Sequence, residues 1–311
     1  MERLTTLTEI PEAAKGASIA IGNFDGVHLG HQAVIDLARR DDLPLGIMTF
    51  EPHPRTYFSA QKGTAKPFRL MNADAKANRL EKLGVERLYE VPFNADLAAL
   101  SPEAFVAEVI AERLGARHVV VGADFCFGAD RAGNAETLKT LAATHDIDVT
   151  IANMVSTGET EVSSTNIRRA LSDARPRDAA KMLGHWHRVE GPVIHGDARG
   201  RDLGYPTANM SLGSLHHPAY GVYAVLVDVL DGAHAGSYHG ASSIGVRPMF
   251  GDNAANCETY LFDFKGDLYG ATLSVGLVEY LRGEQKFDGL DALIAQMGAD
   301  CDRARTILKA L

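Results

Sequence analysis

The chain has 311 residues, of which 46% are hydrophobic and 23% charged, as is usual for a folded globular protein. At roughly 150 residues per domain, this length predicts two domains. The net charge of −9 disfavours general attraction to nucleic acid or to an anionic membrane, so we expect neither as a partner.

The first predicted unit is a strand, a glycine loop and a helix. The apolar run Ser18 to Phe24 predicts a buried parallel strand. The loop that follows carries glycines at positions 22, 26 and 30, and apolar residues recur at helical spacing from His31 onward. Glycines allow close approach of the backbone to a ligand, and the free N–H groups of a first helical turn favour phosphate.

Two histidines, His28 and His31, flank Gly30 at this junction. They could be surface residues of a turn or a pair of metal ligands. A metal pair needs a third and a fourth ligand at short spacing, and no Cys, Asp or Glu cluster accompanies them. Imidazoles beside a helix N-terminus can donate hydrogen bonds to phosphate oxygens as charge develops, and we favour this role.

The remainder of the first half alternates strands with helices. We predict strands at 44–50, 87–91, 117–122 and 147–153, and helices at 74–84, 101–115 and 134–145. This alternation predicts a doubly wound parallel α/β sheet.

Three further segments follow predicted strands or begin a helix. His53 follows the second strand, where open α/β sheets bind ligands, although a loop residue exposed by chance is equally expected. Asp124 could bind a ribose hydroxyl or a metal, or could cap a turn. In Val162 to Leu171, Ser163 or Ser164 can cap a helix that places Thr165 and Arg168 one turn apart. That arrangement suits a triphosphate, or merely a well-capped surface helix.

In the second half of the chain, the spacing of apolar residues changes. After a polar helix at 175–186, short β-branched or aromatic runs occur at 189–194, 221–229, 237–244, 257–264 and 272–280. Strands without intervening helices predict a small antiparallel barrel. The apolar stripe from Leu290 to Leu308 predicts a C-terminal helix packed on it. We therefore expect one domain over residues 1–185 and a second over 186–311.

Two places in the barrel region could carry chemistry. The turn containing Gly204, Pro206, Thr207 and Asn209 offers neutral oxygen ligands that suit Mg²⁺, although a proline turn closed by Asn is the simpler interpretation. Glu258 lies in an apolar strand, where a carboxylate is more often on the wet face than placed for catalysis.

These motifs resemble one family. GNFDGVHLGHQ (22–32), TFEPHP (49–54), SSTNIR (163–168) and PTAN (206–209) are similar to motifs of bacterial bifunctional riboflavin kinase/FAD synthetases. The resemblance implies that a barrel domain phosphorylates riboflavin with ATP and Mg²⁺, giving FMN. It also implies that the α/β domain adenylylates FMN with ATP, giving FAD and pyrophosphate.

The resemblance also assigns residues to roles. It implies catalytic roles for His28, His31, Arg168 and Glu258, and metal binding by Thr207 and Asn209. The remaining implied positions would bind nucleotide or flavin: Gly22, Asn23, Phe24, Gly30, His53, Asp124, Ser164, Thr165, Gly204, Pro206, Thr207 and Asn209. Met249 stands where the family usually has threonine, which predicts some weakening of the kinase.

Two other functions remain open on the residues. An adenylyltransferase for pantetheine phosphate or a nicotinamide mononucleotide would explain the histidine motif but not PTAN or Glu258. A non-catalytic flavin- or nucleotide-binding regulator would be expected to carry damaged motifs. Self-association, direct transfer of FMN between sites, the redox state of the flavin used and feedback control are left open by the sequence.

The compartment is predicted from what the sequence lacks. Cys126, Cys257 and Cys301 lie far apart, which fits a reducing environment and no disulfide framework. Residues 1–16 lack the basic start and apolar core of a signal peptide, and no apolar run approaches the ~20 residues of a membrane span. We expect a cytoplasmic protein.

Overall fold

The computed structural model describes residues 1–8, 10–158, 160–196, 200, 203–246 and 255–311. Within this part of the chain there are two compact units. Unit 1 comprises Met1–Lys66 and Ala73–Val162, and unit 2 comprises Pro67–Asn72 and Ser163–Leu311. The domain boundary that we placed between residues 185 and 186 stays a prediction.

Unit 1 is built on a parallel sheet. Its strands, with those of two small hairpins, are β1 (Glu2–Leu4), β2 (Ser18–Ile21), β3 (Leu45–Glu51), β4 (Arg87–Pro92), β5 (His118–Gly122), β6 (Cys126–Phe127), β7 (Gly133–Asn134), β8 (Asp148–Ala152), β9 (Ser156–Thr157) and β10 (Thr160–Glu161). Among the described residues, six of these strands pair in the order β1-β4-β3-β2-β5-β8, all parallel. The predicted α/β sheet is confirmed.

Helices connect these strands. They are α1 (Leu29–Leu37), α2 (Pro54–Gln61), α3 (Ala73–Lys82), α4 (Ala95–Ala99), α5 (Pro102–Ala104), which continues as a π-helix over Phe105–Arg113, and α6 (Ala135–Ala143). Ser101 caps α5 by accepting a hydrogen bond from the backbone N–H of Ala104 at 3.2 Å. Apolar residues from the sheet and these helices form the core, among them Ile19, Met48, Val119, Val106 and Leu138.

Two predicted boundaries at the first loop were wrong. The strand ends at Ile21, not Phe24, because Phe24 has a φ of +49° and has left the extended region. The helix begins at Leu29, not His31, because His28 is its N-cap. Both changes place the two histidines on the first turn of α1.

Unit 2 contains the predicted barrel. Its elements are α7 (Ser164–Ser172), α8 (Pro176–Leu183), β11 (Arg188–Pro192), β12 (Ala208–Ser211), β13 (Gly221–Val229), β14 (Gly236–Val246), β15 (Ala255–Leu261), β16 (Thr272–Arg282) and α9 (Leu290–Lys309). In the described part of unit 2, six strands form an antiparallel sheet in the order β11-β16-β13-β14-β15-β12. The N–H of Ile194, just beyond β11, donates to the carbonyl of Asn209 at 2.9 Å, so the sheet nearly closes on itself.

The barrel has an apolar interior and a helix on its outer surface. Interior side chains include Met210, Val225, Ile244, Cys257 and Val275. Ala304 and Leu308 of α9 pack with Phe262 and Leu281 on the other side of the sheet. The predicted stripe on α9 was wrong at Leu290, which is 56% exposed. Asp300 is buried on this helix instead, because it forms an ion pair with Arg282 at 2.8 Å.

A short early segment of the chain belongs to unit 2. In Pro67–Asn72, the N–H of Phe68 donates to the carbonyl of Ser214 at 3.1 Å, and the Nδ2 of Asn72 donates to the carbonyl of Glu190 at 2.9 Å. The N–H of His216 donates to the carbonyl of Arg69 at 2.7 Å. The segment is therefore held to unit 2 largely by backbone hydrogen bonds.

Across the residues described, the structure contains no helix with the length and apolarity that a membrane span requires.

Candidate active sites

The first candidate site lies at the carboxyl end of β2. This strand lies between β3 and β5, and the strand order reverses there, since β3 and β4 follow on one side of β2 whereas β5 and β8 lie on the other. Open α/β sheets bind ligands at such a point, outside the carboxyl ends of the strands. We call residues 22–28, which connect β2 to α1, the histidine loop.

The histidine loop is held in an unusual backbone conformation. Phe24 and Val27 have φ of +49° and +41°, values that residues other than glycine seldom adopt. Both side chains are buried in the core, Phe24 at 1% and Val27 at 0% exposure. Burial of two apolar anchors offsets the cost of the strained backbone, and such strain is typical of functional loops.

The two histidines form one structure at the start of α1. The Nδ1 of His28 accepts a hydrogen bond from the backbone N–H of His31 at 3.3 Å, and the two rings stack with centroids 3.6 Å apart. Because Nδ1 of His28 accepts, the neutral ring carries its proton on Nε2. A Cβ added to Gly30 would lie 3.2 Å from the His28 ring, which explains the glycine between them.

His31 is placed as a neutral donor or acceptor. Burial lowers the pKa of His31 well below its ordinary value, and the charges of His28 and Lys76 lower it further. Its buried Nδ1 has no hydrogen-bond partner among the described residues. A buried polar atom without a protein partner is uncommon, and a ligand oxygen is one group that would satisfy it.

A lysine that the sequence analysis missed lies beside this loop. The ammonium of Lys76, on α3, donates to the Thr49 hydroxyl at 2.8 Å, and that hydroxyl donates to the carbonyl of Asn23 at 3.1 Å. The signal was a lysine between buried alanines, Ala75 and Ala77, on a helix. A charged residue on the inward face of a helix is rare, but which face points inward is known only from the fold.

His53 lies after β3, as expected, and has a structural role there. It is the N-cap of α2, with its Nδ1 accepting from the N–H of Arg55 at 3.0 Å. Aromatic rings collect beside it, with Tyr57 5.3 Å from Phe93 and Phe58 5.7 Å from Phe93, centroid to centroid. Phe58 is 45% exposed, so this aromatic cluster has ring surface open to solvent.

Asp124 lies on the other side of β2, after the end of β5. Its side chain is exposed, and its Oδ1 lies 2.9 Å from where a Cβ on Gly122 would be. Asn23, Thr49 and Asp124 therefore follow or end three adjacent parallel strands. Because the carboxyl ends of these strands meet at one edge, unit 1 offers polar groups from all three there.

The SSTNIR segment forms α7 of unit 2. Ser163 is the cap that the sequence left open between two serines, and its Oγ accepts from the N–H of Asn166 at 3.2 Å. Ser164 and Thr165 occupy the first turn, half-buried and exposed respectively. Arg168 donates from Nη1 to the carbonyl of Phe68 at 3.3 Å and lies over the Phe68 ring.

The second candidate site is on the barrel. Asn209 on β12 lies directly opposite Glu258 on β15, and Ser243 on β14 lies opposite Glu258 on its other side. Asn256, buried two residues before Glu258, donates from Nδ2 to the Glu258 carboxylate at 3.0 Å. Sequence analysis missed this asparagine, although its spacing of two along a strand places it on the same face as Glu258.

The PTAN turn is tightly packed. The Nδ2 of Asn209 donates to the carbonyl of Thr207 at 3.3 Å, which fixes the amide. A Cβ on Gly196 would lie 2.4 Å from that amide nitrogen, so only glycine fits there. Gly204 adopts a φ of +84° in open space, and Pro206 is exposed beside it.

An open cleft of about 200 Å³ borders this turn. Pro206, Thr207 and Ala208 line one side, and Lys265 to Tyr269 line another. The Tyr269 ring stacks on His195 with centroids 3.9 Å apart. Its lining includes Lys265 and Thr207, whose ammonium and hydroxyl groups can bind phosphate.

Some expectations fall outside the described residues. Met249 lies in 247–254, and residues 197–199 and 201–202 of the glycine-rich segment before PTAN are likewise outside the described part of the chain. Among the residues that are described, no group of three or more His, Cys, Asp or Glu side chains could hold a metal ion. The histidine pair is therefore not part of such a cluster in the described structure.

Fold and site geometry together define a class of protein. The parallel sheet carries the histidine loop at its switch point, and the small barrel has a cleft of its own. This arrangement is typical of an enzyme that binds nucleotides in two separate units. Comparison with known proteins narrows this class. The FAD synthetase family profile matches residues 10–166, and the riboflavin kinase family profile matches residues 183–308.

Whole-chain relatives agree with both profiles. Bifunctional riboflavin kinase/FMN adenylyltransferases from Pseudomonas fluorescens and Listeria monocytogenes are 38% and 37% identical, covering 99% and 94% of this chain and 98% and 93% of their own. The relative of the same description from Escherichia coli is 36% identical over 94% of this chain and 93% of its own length. A crystal structure described as a macrolide-efflux protein from Streptococcus pneumoniae superposes with a TM-score of 0.80, at 34% identity over 97% of this chain and 98% of that one.

The chain belongs to the bifunctional riboflavin kinase/FMN adenylyltransferase family. It is an enzyme with both activities, FAD synthetase in its N-terminal part and riboflavin kinase in its C-terminal part. The sequence prediction of function is confirmed. The riboflavin kinase profile covers the part of the chain that contains PTAN and Glu258, and an adenylyltransferase alone would not match that profile.

Proposed function

We propose that the histidine loop handles ATP during adenylylation of FMN, and that the PTAN turn with Glu258 serves phosphorylation of riboflavin. The observation that carries the first part is the stacked pair of imidazoles on the first turn of α1. Backbone N–H groups at the start of a helix favour phosphate, and ring N–H groups add donors.

In adenylyl transfer no enzyme nucleophile is required. A phosphate oxygen of FMN attacks the α-phosphorus of ATP, the bond to the β-phosphate oxygen breaks, and pyrophosphate leaves with the electron pair. Neutral His31 and the Nε2–H of His28 stabilise the negative charge that builds on the phosphate oxygens. Gly22 in the histidine loop and Gly30 in the first turn of α1 let the nucleotide approach the backbone closely. On the resemblance of this segment to the family motif, we also assign Asn23 and Phe24 to nucleotide binding.

Further residues are proposed for the same half-reaction. Asp124 accepts a hydrogen bond from a ribose hydroxyl, and His53 fixes the start of α2 beside the aromatic cluster. The exposed face of Phe58 offers the isoalloxazine ring a stacking surface. On the resemblance of SSTNIR to the family motif, we assign Ser164, Thr165 and Arg168 to binding of the pyrophosphate group.

In riboflavin phosphorylation, Glu258 acts as general base. Its carboxylate takes the proton of the riboflavin 5′-hydroxyl as that oxygen attacks the γ-phosphorus of ATP, and ADP leaves. Asn256 orients the carboxylate through its hydrogen bond. Gly204 and Pro206 shape the turn that meets the nucleotide at the edge of the cleft.

The donor set beside Glu258 suits Mg²⁺. Thr207 offers a hydroxyl oxygen at the cleft, and the amide of Asn209 points its nitrogen at the Thr207 carbonyl, so its Oδ1 is left to accept. Hard neutral oxygens and one nearby carboxylate are what Mg²⁺ takes when it keeps most of its waters. When bound, Mg²⁺ would neutralise charge on the phosphates of ATP.

The division of labour is tested by one assay on the full-length protein. Wild type, His28→Ala and Glu258→Gln are each incubated with riboflavin or FMN, ATP and Mg²⁺, and the flavins are separated by chromatography. His28→Ala should accumulate FMN without FAD. Glu258→Gln should fail on riboflavin but convert supplied FMN to FAD. Loss of both products in each variant would refute the assignment.

A further inference from the structure

Lys76 is a buried charged residue that the proposed roles leave unexplained. Its side chain is 1% exposed on α3. Removing an ammonium from water is costly unless its position is used or well compensated. Oε2 of Glu51 lies 3.9 Å from Nζ, which is within the range of an ion pair but beyond hydrogen-bond distance.

The contacts of Lys76 lead to the histidine loop. Its ammonium donates to the Thr49 hydroxyl at 2.8 Å, and that hydroxyl in turn donates to the carbonyl of Asn23 at 3.1 Å. Thr49 is fully buried near the end of β3. Lys76 therefore fixes one backbone group of the histidine loop through a single buried hydroxyl.

We propose that Lys76 is a positioning residue for adenylyl transfer, whose buried ammonium holds the histidine loop through Thr49 and supplies fixed positive charge beside the His28–His31 pair. This inference rests on the proposed role of that loop. A charge in a dry surrounding acts over several ångströms with little screening, so it need not touch the phosphates to favour negative charge there.

The electrostatics of the loop support this role. The positive charge of Lys76 is one of the causes that lower the pKa of His31, after burial and His28. A neutral His31 can donate a hydrogen bond without bringing a second full charge to the site. Lys76 thereby supplies the positive charge of the site, and the histidines supply its directional hydrogen bonds.

The alternative is that Lys76 only fills space in α3. The two hypotheses rank two substitutions in opposite order. Methionine matches lysine in shape but has no charge, and replacing a buried charge by an apolar residue of similar volume is often harmless to stability. Arginine keeps the charge but is larger, so it disturbs packing more.

The experiment compares Lys76→Met, Lys76→Arg and the control Lys82→Met in the full-length protein. Lys82 is an exposed lysine on the same helix, so its substitution removes equal charge away from the site. Each variant is assayed for FAD formation from FMN and ATP and for FMN formation from riboflavin, and its thermal midpoint is measured. His28→Ala is run alongside.

Lys76→Met should fold, keep riboflavin kinase activity and lose about 10²-fold in kcat for FAD formation, a loss typical of a misplaced reacting group. Lys76→Arg should retain more of this rate than Lys76→Met, and Lys82→Met should equal wild type. The proposal is overturned if Lys76→Met retains the wild-type rate while His28→Ala loses it, if Lys76→Arg is the slower variant, or if Lys76→Met does not fold. If His28→Ala also retains its rate, the proposed site itself is wrong.

Discussion

His28 combines two roles that substitution can separate, because it caps α1 through Nδ1 and stacks on His31. Loss of an N-cap costs about 1 kcal/mol. Loss of a stacked ring contact costs about 1 kcal/mol more. His28→Ala should therefore cost about 2 kcal/mol of a total stability of at least ~5 kcal/mol, which leaves about 1% of the protein unfolded. Unfolding alone would then leave the rate of FAD formation nearly unchanged.

Loss of a group that stabilises transition-state charge acts on a different scale, typically about 10²–10³-fold in kcat. His28→Asn distinguishes the two effects, since asparagine is among the best N-caps but cannot replace the ring. We expect His28→Asn to be more stable than His28→Ala by about 1 kcal/mol, which is a thermal midpoint about 2–4 °C higher. Both variants should lose FAD formation to the same extent.

The matched control is Ser101→Ala, which removes the N-cap of α5, away from the histidine loop in sequence. It should lower the thermal midpoint by about the same 2–4 °C that separates the His28 variants, and leave FAD formation unchanged. The rates are measured with saturating FMN and ATP at a temperature well below every midpoint. If His28→Asn restored FAD formation together with stability, the histidine would be only a cap, and the reasoning would be refuted.

Three further outcomes are expected. Asn256→Leu should reduce the kcat of riboflavin phosphorylation by about tenfold, the worth of one hydrogen bond to a charged group, and leave FAD formation from supplied FMN untouched; equal kinase rates would contradict the orienting role given to it beside Glu258. Asp300→Ala leaves its partner Arg282 without a counter-charge, so it should lower the free energy of unfolding of unit 2 by ~3 kcal/mol in urea titrations. An unchanged midpoint would show that the ion pair does not stabilise unit 2. Burial raises the pKa of the Cys257 thiol to about 11, so iodoacetamide at neutral pH should modify exposed Cys126 and spare Cys257 until the protein unfolds, as peptide mass mapping would show; early alkylation of Cys257 would contradict its burial.

Hydrophobic periodicity was enough to predict the architecture. Apolar runs such as His118–Gly122 lie between helices, and runs such as Gly221–Val229 do not, so a parallel sheet and an antiparallel barrel follow from pattern alone. Helix α2 was missed because it buries none of its side chains and therefore has no apolar stripe. Strand β12 was missed because Pro206 marks a turn, and the strand begins only two residues later.

The candidate site was predicted less completely than the fold. Residue type and local spacing identified His28 and Glu258, because each lies in a short motif. Asn256 was missed although it lies only two residues before Glu258 on the same strand. Lys76, in contrast, acts through a hydrogen bond that only the folded chain creates, across 27 residues to Thr49. Local sequence carries no record of such a partner, and a buried lysine is visible only once the inward face of its helix is known.

The early segment Pro67–Asn72 has a consequence for how the kinase half can be isolated. A fragment beginning near residue 183, where the kinase profile starts, would lack the hydrogen-bond partners that Ser214, His216 and Glu190 have in that segment. Without the segment, those polar groups would have to form hydrogen bonds to water, and the part of unit 2 that the segment covers would become exposed. A fragment that is meant to contain all of unit 2 therefore needs residues 67–72, since unit 2 is formed from two separate stretches of the sequence.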